Sequence, residues 1–131
     1  MPKTAITTAD APAPVASYSQ AVRKGNVLQV AGQGPADPAT GEFAGTTVAE
    51  QTQQTLRNLQ AILRAAGADF DDVLMMRVYL TDVAHFPAMN EVYSTFVGDG
   101  VAVPFPARTT VYVGLPAGML VEIDALAVLG D

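Results

Sequence analysis

The sequence predicts a single α+β domain with two helices on one face of a sheet. Two stretches carry apolar residues at helical spacing, one of them behind a capping signal. Strand-like runs precede, separate and follow them, in the order strand, strand, helix, strand, helix, strand, strand. With 131 residues the chain matches one domain over 1–131, of which 1–15 form an N-terminal strand or loop.

Pro12 and Pro14 deny the stretch Ala9–Pro14 a helix or a central strand, so it reads as loop. Tyr18–Lys24 and Val27–Gln33 read as strands joined at Gly25-Asn26, residues that tolerate the positive φ of a tight hairpin. Gly34–Gly41, with Pro35 and Pro38 inside it, is a punctuated loop. Thr47-Val48-Ala49-Glu50 has the spacing of a capping box. Val48, Leu56, Leu59, Ile62, Leu63 and Ala66 then form one stripe, which predicts a helix over Val48–Ala66 that stops at Gly67. Val73–Thr81 follows as a strand, and Asp82 caps a short turn. Phe86, Met89, Val92, Tyr93 and Phe96 share one side of a second helix, Phe86–Phe96, ended by Gly98-Asp99-Gly100. Pro104 and Pro106 keep the next stretch extended. Arg108–Val113 and Leu120–Val128 complete the sheet, linked by the turn Leu115-Pro116-Ala117-Gly118.

Seven basic side chains against 13 acidic ones leave a net charge of −6. Such a chain is a poor electrostatic match for nucleic acid or an anionic membrane. The absence of Cys removes disulfides, thiolate zinc sites and a cysteine nucleophile. His85, the only histidine, leaves no His pair for a metal. Asp69, Asp71 and Asp72 lack calcium-loop spacing and read as a solvated loop. The start Met1–Ile6 has no apolar segment behind a basic one, and no apolar run approaches the roughly 20 residues that span a bilayer. A cytoplasmic protein is expected.

Along the last strand Val121, Ile123, Ala125 and Ala127 alternate with Leu120, Glu122, Asp124 and Leu126. The first set suits the helix layer. Two carboxylates among leucines suit an interface or pocket, which predicts a homo-oligomer with sites between subunits. Arg108 begins a strand after the apolar stretch Val101–Ala107 and needs a partner, because burying an unpaired cation is costly. Its planar fork takes a carboxylate, either a ligand's or that of Glu122 or Asp124. Glu122 is a carboxylate that can orient a water or pair with a cation. Tyr18 offers a hydroxyl at the mouth of the first strand, and Asn90 an amide near the start of the second helix. Met75, Met76, Met89 and Met119 read as core fillers.

Ser17-Tyr18-Ser19-Gln20-Ala21-Val22, Val30-Ala31-Gly32-Gln33, Glu50-Gln51-Thr52 with Asn58-Leu59, Asn90-Glu91-Val92-Tyr93, Pro106-Ala107-Arg108-Thr109-Thr110-Val111 and Val121-Glu122-Ile123-Asp124-Ala125 stand in an order and spacing that resembles the Rid (RidA/YjgF-like) reactive-intermediate deaminases. The resemblance runs from about residue 4 to residue 128. It implies a chorismate-mutase-like fold with a mixed sheet, assembled as a homotrimer with active sites between subunits. It further implies hydrolysis of 2-aminoacrylate and related enamines and imines to 2-oxo acids and ammonia, with neither metal nor organic cofactor. Arg108 matches the position that holds the substrate carboxylate, and Glu122 the one proposed to position the attacking water. Tyr18, Ala31, Gly32, Asn90 and Thr110 match substrate-binding positions. The expected partners are thus a small 2-imino or 2-oxo carboxylate and two further copies of the chain, with no nucleic acid and no membrane.

Several positions depart from the pattern. Ala31 stands where Ser is frequent and Gly34 where Ile is frequent, which would open space for a larger substrate. Arg77, expected on one face with Met75 and Tyr79, points to the trimer interior or the pocket edge. A pathway-specific deaminase of the aminomuconate type is therefore an alternative expectation, as is a non-enzymatic ligand-binding or chaperone-like trimer.

Overall fold

The computed structural model describes residues 1–98 and 104–130. A six-stranded sheet is built from β1 (Thr4–Ile6), β2 (Ala21–Lys24), β3 (Val27–Gln33), β4 (Val73–Leu80), β5 (Ala107–Tyr112) and β6 (Val121–Val128). The strand order is β1-β2-β3-β6-β4-β5. Only β4 and β5 run parallel, so the sheet is mixed. Two helices, α1 (Val48–Ala65) and α2 (Phe86–Gly98), pack against each other, and α1 lies on β3 and β6. The α2 helix is the crossover that parallel pairing of β4 and β5 requires. Two helices on a mixed sheet is the α+β architecture expected.

The core lies between sheet and helices. Leu28, Val30, Met76, Val78, Leu80, Val121, Ile123, Ala125 and Ala127 are buried with Leu56, Leu59, Ile62, Leu63, Met89, Tyr93 and Val97 of the helices. Burying one such large apolar side chain contributes about 1.5–3 kcal/mol. The capping box forms: Glu50 N donates to Thr47 Oγ1 at 3.2 Å, and Thr47 N to Glu50 Oε1 at 3.3 Å. Hydrogen bonds from the Thr47 hydroxyl and, secondarily, from the Thr47 and Thr46 N–H groups hold the exposed Glu50 carboxyl below its ordinary pKa.

Most expected elements occur within two residues of their predicted ends. The first strand is the exception, because β2 begins at Ala21 rather than Tyr18. Tyr18 N instead closes a turn onto Ala16 O at 2.9 Å. Gln20, just before β2, is buried and binds the N-terminal loop, donating to Thr8 O, Ala11 O and Pro12 O and accepting from Thr8 N. The aspartates after α1 are not a plain solvated loop. Asp69 caps a single 3-10 turn, Phe70–Asp72, and pairs with Arg64 at 3.0 Å. Asp82 caps the turn Val83–His85 as expected. The Asp99-Gly100 part of the predicted helix stop, and Val101–Val103, lie outside the described residues.

Candidate active site

Register decides where each candidate side chain goes. Arg108 is aligned with Met76 and Thr110 with Val78, both core residues on the helix side. The Arg108 guanidinium accordingly lies over α2, with Cζ 4.6 Å from the Tyr93 ring centroid and 5.5 Å from that of Phe86. Aromatic faces stabilise a cation without neutralising it. No carboxylate pairs with Arg108 among the described residues. Arg108 lines a cavity of about 340 Å³ together with Asn90, Tyr93, Ser94, Phe105 and Pro106. Burial raises the Tyr93 phenol, an effect that the nearby Arg108 charge partly offsets.

Glu122 belongs to the other side of the sheet. It is aligned with Tyr79, whose neighbours Val78 and Leu80 point into the core, so Glu122 and Tyr79 face away from the helices. A register shift between Val30 and Gln33 bulges β3 beside it. Gly32 in that bulge lies directly against the carboxylate: a Cβ at this position would stand 2.5 Å from Glu122 Oε2 and 2.9 Å from Cδ. Glu122 has no hydrogen-bond partner among the described residues. Burial, and secondarily the Asp124 charge, raise its pKa above the ordinary carboxylate value. It lines a cavity of about 390 Å³ with Tyr18, Gly32, Gly34, Phe43, Pro116 and Met119 among others.

Asp124 is the carboxylate that does find a cation. Arg77 Nε donates to its Oδ1 at 2.8 Å and Tyr79 OH to its Oδ2 at 2.7 Å. Spacing alone did not separate Glu122 from Asp124; the strand next door does, by engaging one and leaving the other free. The pairing of Arg108 with Glu122 or Asp124 does not occur. Arg77 shares the open face as expected, where its partner is Asp124.

The expected site residues fall into two groups. Arg108 and Asn90 meet on the α2 side, with Thr110 one register step along the same face of β5. Tyr18, Gly32 and Glu122 meet on the open side. Ala31 stands beside Gly32 but does not line the cavity; its N–H donates to Gln20 O at 2.9 Å. Within one protomer the two groups are on opposite faces and two strands apart, roughly 10 Å in the sheet plane alone. A molecule of a few heavy atoms cannot touch both. Among the described residues no three His, Asp or Glu side chains gather to hold a metal ion. No helix is long and apolar enough to cross a membrane.

The family-model match named Endoribonuclease L-PSP spans residues 8–129. The chain belongs to this family, the YjgF/RidA family. The protein is 46% identical over 126 residues to a RutC family protein of Pyrococcus horikoshii, covering 95% of this chain and 97% of that one. It is 41% identical over 126 residues to the 2-iminobutanoate/2-iminopropanoate deaminase of Rattus norvegicus, covering 95% and 89%. The crystal structure of E. coli TdcF with bound serine superposes with a TM-score of 0.92 at 37% identity, covering 97% and 99%.

In this family member the loops around Glu122 are held by amides whose role periodicity did not reveal. Gln51, buried on α1, donates to Gly118 O and accepts from Leu120 N, both at 2.8 Å. Asn58, one turn-pair along, donates to Gly34 O at 3.0 Å and Ala36 O at 2.8 Å. The signal was present as polar residues inside an apolar helical stripe, since a buried amide must be hydrogen-bonded. Two other expectations change. The space bared by Gly34 is occupied by Met119, whose Cε lies 2.6 Å from where a Cβ would be. Met119 is therefore cavity wall, whereas Met76 and Met89 are core.

Proposed function

We propose that the protein is a hydrolytic deaminase of reactive 2-imino acids, working as a homotrimer in the cytoplasm, whose active site joins the Arg108 group of one copy to the Glu122 group of the next. The observation that carries this reading is a guanidinium and a carboxylate that have no ion-pair partner among the described residues, each lining its own cavity and unable to meet within one chain. Family membership and the deaminase names of mammalian relatives supply the chemistry. A net charge of −6 favours a small anion, held by one local cation, over a polyanion.

In the reaction, 2-aminoacrylate tautomerises to 2-iminopropanoate, whose C2 is electrophilic. Arg108 binds the carboxylate through two parallel N–H bonds. Asn90 and Thr110 flank it, and Tyr18 and Gly32 shape the opposing side. A water held by Glu122 adds to C2, and its proton passes through the carboxylate to the imine nitrogen. The carbinolamine then loses ammonia as the C2–N bond breaks and the new hydroxyl gives up its proton, leaving the 2-oxo acid. Glu122, with its raised pKa, is a better proton acceptor than an ordinary carboxylate. Holding water and imine in geometry accounts for the rate, and an already reactive substrate needs no stronger group.

The test couples a threonine dehydratase to the purified protein and follows 2-oxobutanoate release. Acceleration by the wild type that is lost in Arg108→Ala is expected. No acceleration by the wild type refutes the reaction; acceleration that survives Arg108→Ala refutes the site. A solution mass of one 13.6 kDa protomer, rather than three, rules out the shared site.

A further inference from the structure

Two aromatic rings, and no carboxylate, neighbour the Arg108 guanidinium among the described residues. Both rings come from α2, at positions 86 and 93, two turns and about 10.5 Å apart along the helix axis. One guanidinium contacts both. The rings themselves are fixed: Tyr93 is buried in the core, and Phe86 is half-buried and packs against it. The base of the arginine is fixed as well, since its backbone lies in β5 in register with Met76 of β4. Between that base and the rings runs a long flexible side chain.

An arginine head without a partner samples many rotamers, and ordering it on binding costs affinity. A carboxylate partner would order it beforehand but would occupy the N–H groups that a ligand needs. Aromatic faces order it and leave those groups unpaired. The Tyr93 hydroxyl takes no part in this. It is buried without a hydrogen-bond partner among the described residues, a cost that a phenylalanine would not carry. The part of Tyr93 that Arg108 uses is the ring.

We propose that Phe86 and Tyr93 are positioning residues for the deaminase reaction: their rings hold the Arg108 guanidinium in place before substrate arrives, with its N–H groups left for the substrate carboxylate. The inference rests on the deaminase reading and assigns two residues that act in it only through Arg108.

The experiment measures kcat and KM for 2-iminobutanoate, generated by threonine dehydratase, together with Tm. Tyr93→Leu and Phe86→Leu are each expected to raise KM about 10-fold, the size of one cation–π contact, with kcat within about threefold of wild type. Tyr93→Phe restores the ring and is expected to bring KM back to the wild-type value while raising Tm, because it removes an unpartnered hydroxyl. In an Arg108→Ala background Tyr93→Leu is expected to lower kcat/KM by no more than about twofold further, since a residue acting through Arg108 has nothing left to hold. Should Tyr93→Leu not fold, Phe86→Leu and its double variant with Arg108→Ala carry the same test. Equal losses in the two backgrounds, a KM unmoved in the leucine variants, a fall confined to kcat, or a Tyr93→Phe as poor as Tyr93→Leu overturns the inference and leaves the deaminase reading standing. A wild type that does not accelerate hydrolysis of 2-iminobutanoate overturns that reading itself.

Discussion

Gly32→Ala tests the active-site reading most sharply, because its effect follows from a single contact. The added Cβ would lie 2.5, 2.9 and 3.2 Å from Glu122 Oε2, Cδ and Cγ. Ordinary carbon contacts are about 3.5–4.0 Å, so the carboxylate must retreat by about 1 Å. It can do so, since Glu122 is the far end of a flexible side chain beside an open cavity. The fold should therefore tolerate the change. Gly32 is not among the positive-φ glycines, and Gly→Ala at a compatible backbone stabilises by about 0.4–1 kcal/mol through the unfolded chain. Catalysis should not tolerate it, because a misplacement of about 1 Å at a reacting group costs on the order of 100-fold. The expected result is a kcat about 100-fold lower with KM and Tm close to wild type, read from the coupled 2-oxobutanoate assay and thermal unfolding. A kcat within threefold of wild type would show that the placement of Glu122 across Gly32 does not set the water's position. A large loss of Tm would show that the residue serves the fold instead.

Arg108→Ala should raise KM on the order of 100-fold, since it removes two charge-assisted hydrogen bonds worth about 1.5–3 kcal/mol each before compensation by water. Arg108→Lys should recover only part of that, because a point charge cannot bond bidentately; initial-rate kinetics separate the two. Asn58→Ala leaves the Gly34 and Ala36 carbonyls without their donor and should cost about 2 kcal/mol, seen as a Tm several degrees lower in calorimetry. Glu122 must be ionised to accept a proton, so activity should fall as pH drops through its raised pKa. Asp124→Asn removes the like charge and should move that acid limb of the pH–rate profile downward. The sign for stability is the reverse: folded Glu122 holds its proton more tightly than unfolded, so its contribution declines as pH rises from the ordinary carboxylate value through the raised one. Glu122→Gln should therefore inactivate the enzyme while raising its Tm at neutral pH, measured against the same pair at pH 4.

The helices and strands were legible because their evidence is local. The capping box at Thr47, the stripe from Leu56 to Leu63 and the alternation from Val121 to Ala127 each lie within one segment, and side-chain periodicity is a property of the segment itself. The start of the first strand was misread because Gln20 answers to Thr8, Ala11 and Pro12, residues that no period connects to it. Gln51 and Asn58 went unread for the same reason, since their partners lie 67 and 24 residues away.

By itself the sequence determined the fold class and the family, and it supplied the residue types of the proposed site, an arginine and a carboxylate. Only the tertiary structure decided which carboxylate is engaged, because Arg77 and Tyr79 reach Asp124 across strands that are 45 to 47 residues apart in the chain. It also decided that Arg108 and Glu122 lie on opposite faces. Strand order and register are relations between segments, and a carboxylate's freedom, like an arginine's face, depends on which neighbour the register places beside it.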